Sequence, residues 1–243
     1  MAAHIRAADI RRIHFGYIVA PAEAPDAGQP IPVCGYVVQH SGGTLLFDTG
    51  ISPFDDETRE RYHPRIRSVE EALHGVGLKF GDIDVIANCH MHADHAGGNH
   101  LFPNVPVLVQ RAELEAARGP DYTFPAYAYD YPGARLEIVD GEVQVAPGLR
   151  LIPTGGHSPG HQSLLVETDI GPMLLAGQAF NTASQFAAAA FSERLAASGL
   201  DQIGTYPDWM PRFRSLKVER ALFAHDLLVY EQDAAELGEP QLA

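Results

Sequence analysis

The sequence predicts an α/β fold in which two β-sheets pack against each other with helices on the outside. Short apolar segments of strand character alternate with segments of helical period along the 243 residues. Each half of the chain offers strands followed by helices, with a histidine at the end of a strand in each half. There is no internal repeat, low-complexity tract or linker, so we expect one domain covering residues 1–243.

The first half of the chain contains a hairpin and a capped helix. Two apolar segments flank Gly42-Gly43, a pair that favours a tight turn between antiparallel strands. Ser68 begins a helix because Glu71, three residues later, completes a capping box. The elements predicted here are strands at 37–40, 44–47, 84–88 and 105–109, and helices from Ser68 and over 111–118.

The second half is richer in strands and ends with helical segments. Between the halves, residues 119–134 follow neither period and contain five aromatic residues among prolines and glycines: Tyr122, Phe124, Tyr127, Tyr129 and Tyr131. These rings could form a substrate wall, or could cover the core or a dimer interface. The elements predicted after this segment are strands at 136–139, 143–145, 149–152, 163–167, 173–175 and 221–223, and helices at 191–197 and 210–216.

Composition excludes several classes of partner. The formal net charge of −14 argues against nucleic acid and anionic membranes, both of which demand a basic surface. Cys34 and Cys89 cannot form a disulfide framework and suit a reducing compartment. With neither a secretory signal nor an apolar run long enough to span a membrane, we expect a cytoplasmic protein acting on a small molecule.

The residues with the clearest chemistry are His90-Met91-His92-Ala93-Asp94-His95, directly after the strand predicted at 84–88. Two histidines two residues apart point to the same side of an extended chain, so His90 and His92 can share one metal ion. Asp94 and His95 are adjacent and are better placed to serve a second ion. Imidazole and carboxylate together favour zinc, with iron or manganese as alternatives. The competing interpretation is an exposed histidine-rich turn that binds nothing.

Two later loops also present histidines at strand ends. His157 lies in a glycine-rich turn, residues 154–161, between two predicted strands, and His225 follows the last strand. Either histidine alone would most often be a solvated side chain. Three histidine-bearing loops at strand ends together predict one site where the ligands converge.

These residues identify a resemblance. The chain resembles the metallo-β-lactamase fold superfamily, whose motif is H-x-H-x-D-H followed by histidines in later loops, and within it the N-acyl-homoserine lactonases. The resemblance covers about residues 34–226 and implies an αββα sandwich. The segments that carry it are residues 46–50, 92–99, 109–113, 157–164 and 223–226.

The resemblance implies a site for one or two metal ions. By motif position, His90, His92 and His157 would hold one ion, and Asp94, His95 and His225 the other. Asp48 would orient a ligand histidine without binding metal itself. His161 would be structural, because the family uses the first histidine of its turn.

Three positions depart from the family pattern. Gln178 stands where an aspartate normally bridges both metals, and an amide oxygen is a weaker ligand than a carboxylate. We therefore expect a looser second site, or a single tightly bound ion. Asn181 replaces a tyrosine that contacts the substrate carbonyl, so it could donate a hydrogen bond there instead. Ala93 replaces a larger residue and would enlarge the pocket.

The predicted reaction is hydrolysis of an ester-type bond, with lactone opening as the leading case. A metal-bound hydroxide would attack the carbonyl, and Asp94 would orient this nucleophile and carry a proton to the leaving group. Alternatives are a thioester hydrolase resembling glyoxalase II, a β-lactamase, and a hydrolase of an aromatic or heterocyclic compound. A non-catalytic metal-binding sensor is the alternative from another class, and a homodimer is an open possibility.

Overall fold

The computed structural model describes residues 5–24, 26–51, 56–119, 122 and 128–232. Within them the strands are β1 (Ile10–Val19), β2 (Pro30–His40), β3 (Gly43–Phe47), β4 (Arg65–Ile66), β5 (Val85–Ala87), β6 (Pro106–Gln110), β7 (Arg135–Val139), β8 (Val143–Ala146), β9 (Leu149–Pro153), β10 (Gln162–Thr168), β11 (Gly171–Leu175), β12 (Arg220–Leu222) and β13 (Tyr230–Glu231). The helices are α1 (Asp56–Tyr62), α2 (Val69–His74), α3 (Arg111–Ala117), α4 (Ala183–Ala197) and α5 (Met210–Ser215).

The strands form two mixed sheets. One has the order β4-β1-β2-β3-β5-β6-β7, and the other β13-β12-β11-β10-β9-β8. In the first sheet β1, β2 and β3 are antiparallel, whereas β3, β5, β6 and β7 run parallel. In the second sheet only β11 and β12 are parallel among the pairs described. The predicted hairpin is confirmed, with His40 opposite Gly43 across its turn.

Alternating side chains place three apolar layers across the molecule. On β10, Leu164 and Val166 face the first sheet, where they join a buried cluster with Phe47 of β3. Leu165 lies between them on the opposite face and packs in the cluster that contains α4 and α5. The outer face of the first sheet packs on α2 through Leu73. This period-2 alternation gives the predicted order of helix, sheet, sheet, helix.

Helix boundaries follow from local capping. Ser68 accepts a hydrogen bond from the Glu71 N–H, and the Glu71 carboxylate accepts from the Ser68 N–H, so the predicted capping box is confirmed. The prediction that a helix begins near residue 191 is wrong, because α4 begins at Ala183, where Thr182 and Gln185 form a second capping box. Alanine fills much of α4, so no apolar stripe marks its first turns in the sequence. No helix in the described parts of the chain is long and apolar enough to cross a membrane.

The topology brings several strand ends to one edge of the sandwich. Strands β3 and β5 run parallel and end at Phe47 and Ala87. In the other sheet β11 and β12 run parallel and end at Leu175 and Leu222. Asp48, the His90–His95 segment, Gln178 and His225 follow these ends, and His157 follows β9 of the second sheet, so strand pairing rather than sequence proximity gathers them.

Candidate metal centre

The His90–His92–His157 group has three imidazole nitrogens converging on one point. His90 Nε2 lies 2.8 Å from His92 Nδ1, and His157 Nε2 lies 3.1 Å from each of them. Two ligands of a tetrahedral zinc ion, each 2.0–2.1 Å from the metal, are roughly 3.4 Å apart. These nitrogens are thus spaced as ligands of one ion. His90 is fully buried and His157 is exposed, so the group opens to solvent on the His157 side.

The Asp94–His95–His225 group forms a second cluster of the same size. His95 Nε2 lies 3.2 Å from His225 Nε2, and Asp94 Oδ2 lies 3.5 Å and 3.4 Å from these two nitrogens. Gln178 adds an amide oxygen 3.1 Å from His95 Nε2. A carboxylate and two imidazoles suit a divalent cation, and their spacing fits a shared ion.

Hydrogen bonds to Nδ1 orient the two imidazole rings of the second group. His95 Nδ1 lies 3.0 Å from Asp48 Oδ2, and His225 Nδ1 lies 2.9 Å from the carbonyl oxygen of Pro32. Both partners accept, so each Nδ1 carries the proton and each Nε2 faces the cluster. This arrangement is what a metal-bound histidine requires. Asp48 is 1% exposed and has a left-handed backbone (φ 65°), which turns its side chain back under the loop after β5.

Cys89 lies behind both groups, a position that the sequence reasoning missed. Its Sγ is 3.1 Å from His90 Nδ1 and 3.3 Å from His95 Nδ1, and its backbone N–H donates to Asp48 Oδ1 at 2.7 Å. Burial raises the pKa of this thiol well above its usual value. The thiol faces the nitrogens turned away from the two clusters, so its contacts align His90 rather than create a third metal site.

The two groups differ in proton affinity. Burial lowers the pKa of His92 and lowers that of His157 to about 3. Burial also lowers the pKa of His95, but the charges of Asp94 and Asp48 outweigh it and raise that pKa to about 9. Without metal, His95 is therefore a cation at neutral pH, whereas the first group is neutral and ready to bind.

Asp94 remains ionised in this setting. Burial alone would raise its pKa, but the neighbouring charges of His95 and His225 dominate, and the net shift is downward. Its side chain is only 14% exposed, so this carboxylate faces the cluster rather than solvent.

Gln178 contacts two neighbours besides His95. Its backbone N–H donates to His161 Nε2 at 3.1 Å, and its side-chain NH₂ donates to Asn181 Oδ1 at 3.1 Å. His161 Nδ1 therefore carries a proton, which it donates to Thr154 Oγ1 at 2.8 Å. Both nitrogens of His161 are used in this way, consistent with the structural role expected for it. Asn181 is exposed beside Gln178, where its NH₂ group could meet a substrate.

The aromatic segment contributes Tyr122 to the site. Its ring lies against His92, with centroids 4.9 Å apart, and its hydroxyl donates to Glu113. Tyr131 is buried, and Tyr129 lies near Arg118 and packs against the buried cluster that contains Met91. Phe124 and Tyr127 lie outside the described residues. Ala93 is buried beside the ligand loop.

Residues 30–225 match the sequence profile described as "Metallo-beta-lactamase superfamily". The chain belongs to this superfamily. It is 35% identical over 190 residues to an N-acyl homoserine lactonase of Bacillus sp, covering 71% of this chain and 75% of that protein. It is 31% identical over 173 residues to the N-acyl homoserine lactonase AttM of Rhizobium radiobacter, covering 61% and 65%.

Solved structures of the superfamily give the same result for the fold. An N-acyl homoserine lactone hydrolase, with N-hexanoyl-L-homoserine bound at its catalytic metal center, superimposes with a TM-score of 0.69. The two chains are 25% identical, and the match covers 93% of this chain and 95% of the other. A hydrolase named AbOPH is 16% identical with a TM-score of 0.58, which supports the fold alone. The αββα prediction is confirmed, and the protein is a metal-dependent hydrolase acting on esters.

Proposed function

We propose that this metallo-hydrolase opens lactone rings, with N-acyl homoserine lactones as the substrate class. The observation that carries the proposal is the pair of ligand clusters, of which His90 and His95 are central members, in a chain similar to N-acyl homoserine lactonases over most of its length. In each group the side-chain nitrogen and oxygen atoms lie about 3 Å apart and face one another, as the ligands of a shared metal ion do.

We further propose zinc as the metal, held by His90, His92 and His157 at one position and by Asp94, His95 and His225 at the other. Nitrogen-rich donors at close spacing favour zinc over magnesium or calcium, which require more oxygen ligands. A bound zinc ion lowers the pKa of a coordinated water to about 7 and polarises a carbonyl oxygen. Gln178 supplies a neutral oxygen to the second position, so we expect that ion to bind less tightly.

In this proposal Asp94 transfers a proton and Asn181 donates a hydrogen bond to the substrate. The Asp94 carboxylate lies at the cluster edge, is ionised, and can accept a proton from the nucleophile and deliver it to the leaving alkoxide. Asn181 can donate an N–H to the carbonyl oxygen, in addition to the bond that its Oδ1 accepts from Gln178. His157 marks the exposed side from which a lactone would enter.

The deciding experiment combines metal content with a substrate panel. N-acyl homoserine lactones of several chain lengths, a thioester, an aryl ester and a β-lactam are assayed with metal-loaded protein, with and without chelator. We expect lactone turnover that chelator abolishes and zinc restores. His92→Ala should remove it, whereas His74→Ala, at an exposed histidine on α2, should not.

The other outcomes each contradict the lactonase proposal in a specific way. Turnover of the thioester, aryl ester or β-lactam without the lactones would assign a different hydrolase activity to the same site. Full metal occupancy with no turnover of any panel member would favour a metal-binding sensor. Protein that retains no divalent metal would contradict the ligand assignments themselves.

We also propose that the protein resides in the cytoplasm, because both Cys34 and Cys89 are free thiols and are buried. Immunodetection after cell fractionation would test this location. The homodimer stays a prediction, for sedimentation at equilibrium to test.

A further inference from the structure

Glu113 is a fully buried carboxylate in the first turn of α3, and it has no role in the chemistry proposed above. Its Oε1 accepts from the Met91 N–H at 2.9 Å and from the Tyr122 hydroxyl. Its Oε2 accepts from the Ser158 hydroxyl at 2.7 Å and from the Gly160 N–H at 3.0 Å. Four donors thus occupy both oxygens of this carboxylate and fill its capacity to accept hydrogen bonds.

The donors belong to the two loops that supply the His90–His92–His157 group. Met91 lies between His90 and His92 in the loop after β5, which belongs to the first sheet. Ser158 and Gly160 lie one and three residues after His157, in the loop that follows β9 of the second sheet. One carboxylate thus joins the two sheets at the point where their loops must bring three nitrogens within 3.1 Å.

The backbone is adapted to this contact at Gly160. A Cβ atom on Gly160 would lie 2.1 Å from the backbone nitrogen of Glu113 and 2.5 Å from its Cβ. Since a side chain at this position would collide with α3, only glycine lets the His157 loop approach Glu113 closely enough to donate. The close approach is a second observation, independent of the hydrogen bonds, that this junction is tight.

Tyr122 extends the network to the ring of His92. Its hydroxyl donates to Glu113 and accepts from the Met91 N–H at 3.1 Å, while its ring lies against the imidazole. Burial raises the pKa of this phenol, so it stays protonated and remains a donor. Glu113 therefore acts on His92 through Tyr122 and on His157 through Ser158 and Gly160.

We propose that Glu113 is a positioning residue that sets the spacing of His90, His92 and His157 and so determines the affinity of this group for its metal ion. The inference rests on the ligand assignment proposed above. Among the described residues, Glu113 makes no hydrogen bond with Asp94, His95 or His225, so the zinc affinity of this second group should not depend on Glu113. Loss of outer contacts of this kind costs about 10–100-fold in metal affinity.

The test is Glu113→Gln in two single-site backgrounds, starting from zinc-loaded protein and titrating with chelator. Glutamine keeps the volume, but its NH₂ group must face at least one of the N–H donors and loses that bond. In His225→Ala, where the first group remains, we expect zinc affinity to fall about 10–100-fold. In His92→Ala, where the second group remains, we expect a change within about twofold.

Matched controls separate positioning from a general loss of stability. Glu115→Gln makes the same chemical change at an exposed position of α3, and Leu73→Ala removes buried packing on α2, in a cluster that contains no residue of either loop. Neither should alter zinc affinity in the His225→Ala background. If Glu113→Gln does not fold, Ser158→Ala removes a single donor to Glu113 and should lower the zinc affinity of the first group several-fold.

Equal zinc affinity of the first group with Glu113 or glutamine would overturn the inference, and so would an equal loss at both groups. In either case the parent His225→Ala protein would still bind zinc, so the ligand assignment would stand. Failure of that parent to bind zinc would instead contradict the proposed function.

Discussion

Metal binding at the Asp94–His95–His225 group should displace a proton from a histidine, whereas binding at the His90–His92–His157 group should not. Asp94 and Asp48 together raise the pKa of His95 to about 9 despite its burial, so without metal its Nε2 is protonated at neutral pH. A metal ion can bind this nitrogen only after the proton leaves. The apparent affinity of the second group should therefore fall about tenfold for each pH unit below 9, or about 100-fold between pH 8 and pH 6.

The first group should behave differently because burial lowers the pKa of all three of its histidines, that of His157 to about 3. These imidazoles are already neutral near pH 7 and have no proton to displace. Its ligand histidines therefore add no pH dependence of their own over the same interval, and only a zinc-bound water, which ionises at either group, contributes.

Calorimetric zinc titrations of the two single-site variants measure this difference directly. At pH 7.5, in buffers of different ionisation enthalpy, His92→Ala should release about one proton more for each ion bound than His225→Ala, because ionisation of a zinc-bound water contributes equally to both. Equal proton release from both variants, or none from His92→Ala, would refute the conclusion that zinc displaces a proton from His95.

Three further perturbations test other parts of the site and fold. Gln178→Asp replaces the amide that lies 3.1 Å from His95 Nε2 with a carboxylate. Zinc affinity at the second group and the lactonase rate, measured on the same preparation, should both rise about tenfold. If neither rises, the neutral amide does not limit zinc binding at this group. Asp48→Asn leaves one accepting oxygen for both the Cys89 N–H and His95 Nδ1, so it should lower zinc affinity at the second group about 10–100-fold by chelator competition, while zinc at the first group is retained; loss at both groups would contradict this. Ser68→Ala breaks the capping box of α2 and should lower the free energy of unfolding by about 1 kcal/mol in urea titrations with unchanged zinc content; a change in zinc content would show that α2 supports the site.

Much of the site was predictable because its residues form short local patterns. The spacing of His90 and His92 places their nitrogens together in any extended loop, and the structure brings them to 2.8 Å. The capping box at Ser68 and the Gly42-Gly43 hairpin are local in the same sense, since the residues that make each one are close in sequence. Their physical causes do not depend on the rest of the fold.

The contacts behind the ligands were not predictable because they join residues far apart in the chain. Glu113 ends one of the segments that carry the resemblance, but only the packing of α3 between two loops shows it to be a buried acceptor of four donors. Cys89 could be predicted to be buried, but not to touch two imidazoles. Such contacts depend on which strands pair and on how the sheets pack.

The amino-acid sequence by itself predicted two packed sheets with outer helices from its periodicity, and its resemblance to the superfamily supplied the αββα sandwich and the proposed ligand residues. The tertiary structure alone decided how the ligands divide by proton affinity and how they are held. Burial lowers the pKa of His157, and two converging carboxylates raise that of His95. A pKa depends on every charge and on the solvent around a group, and neither exists until the two sheets have closed over the site.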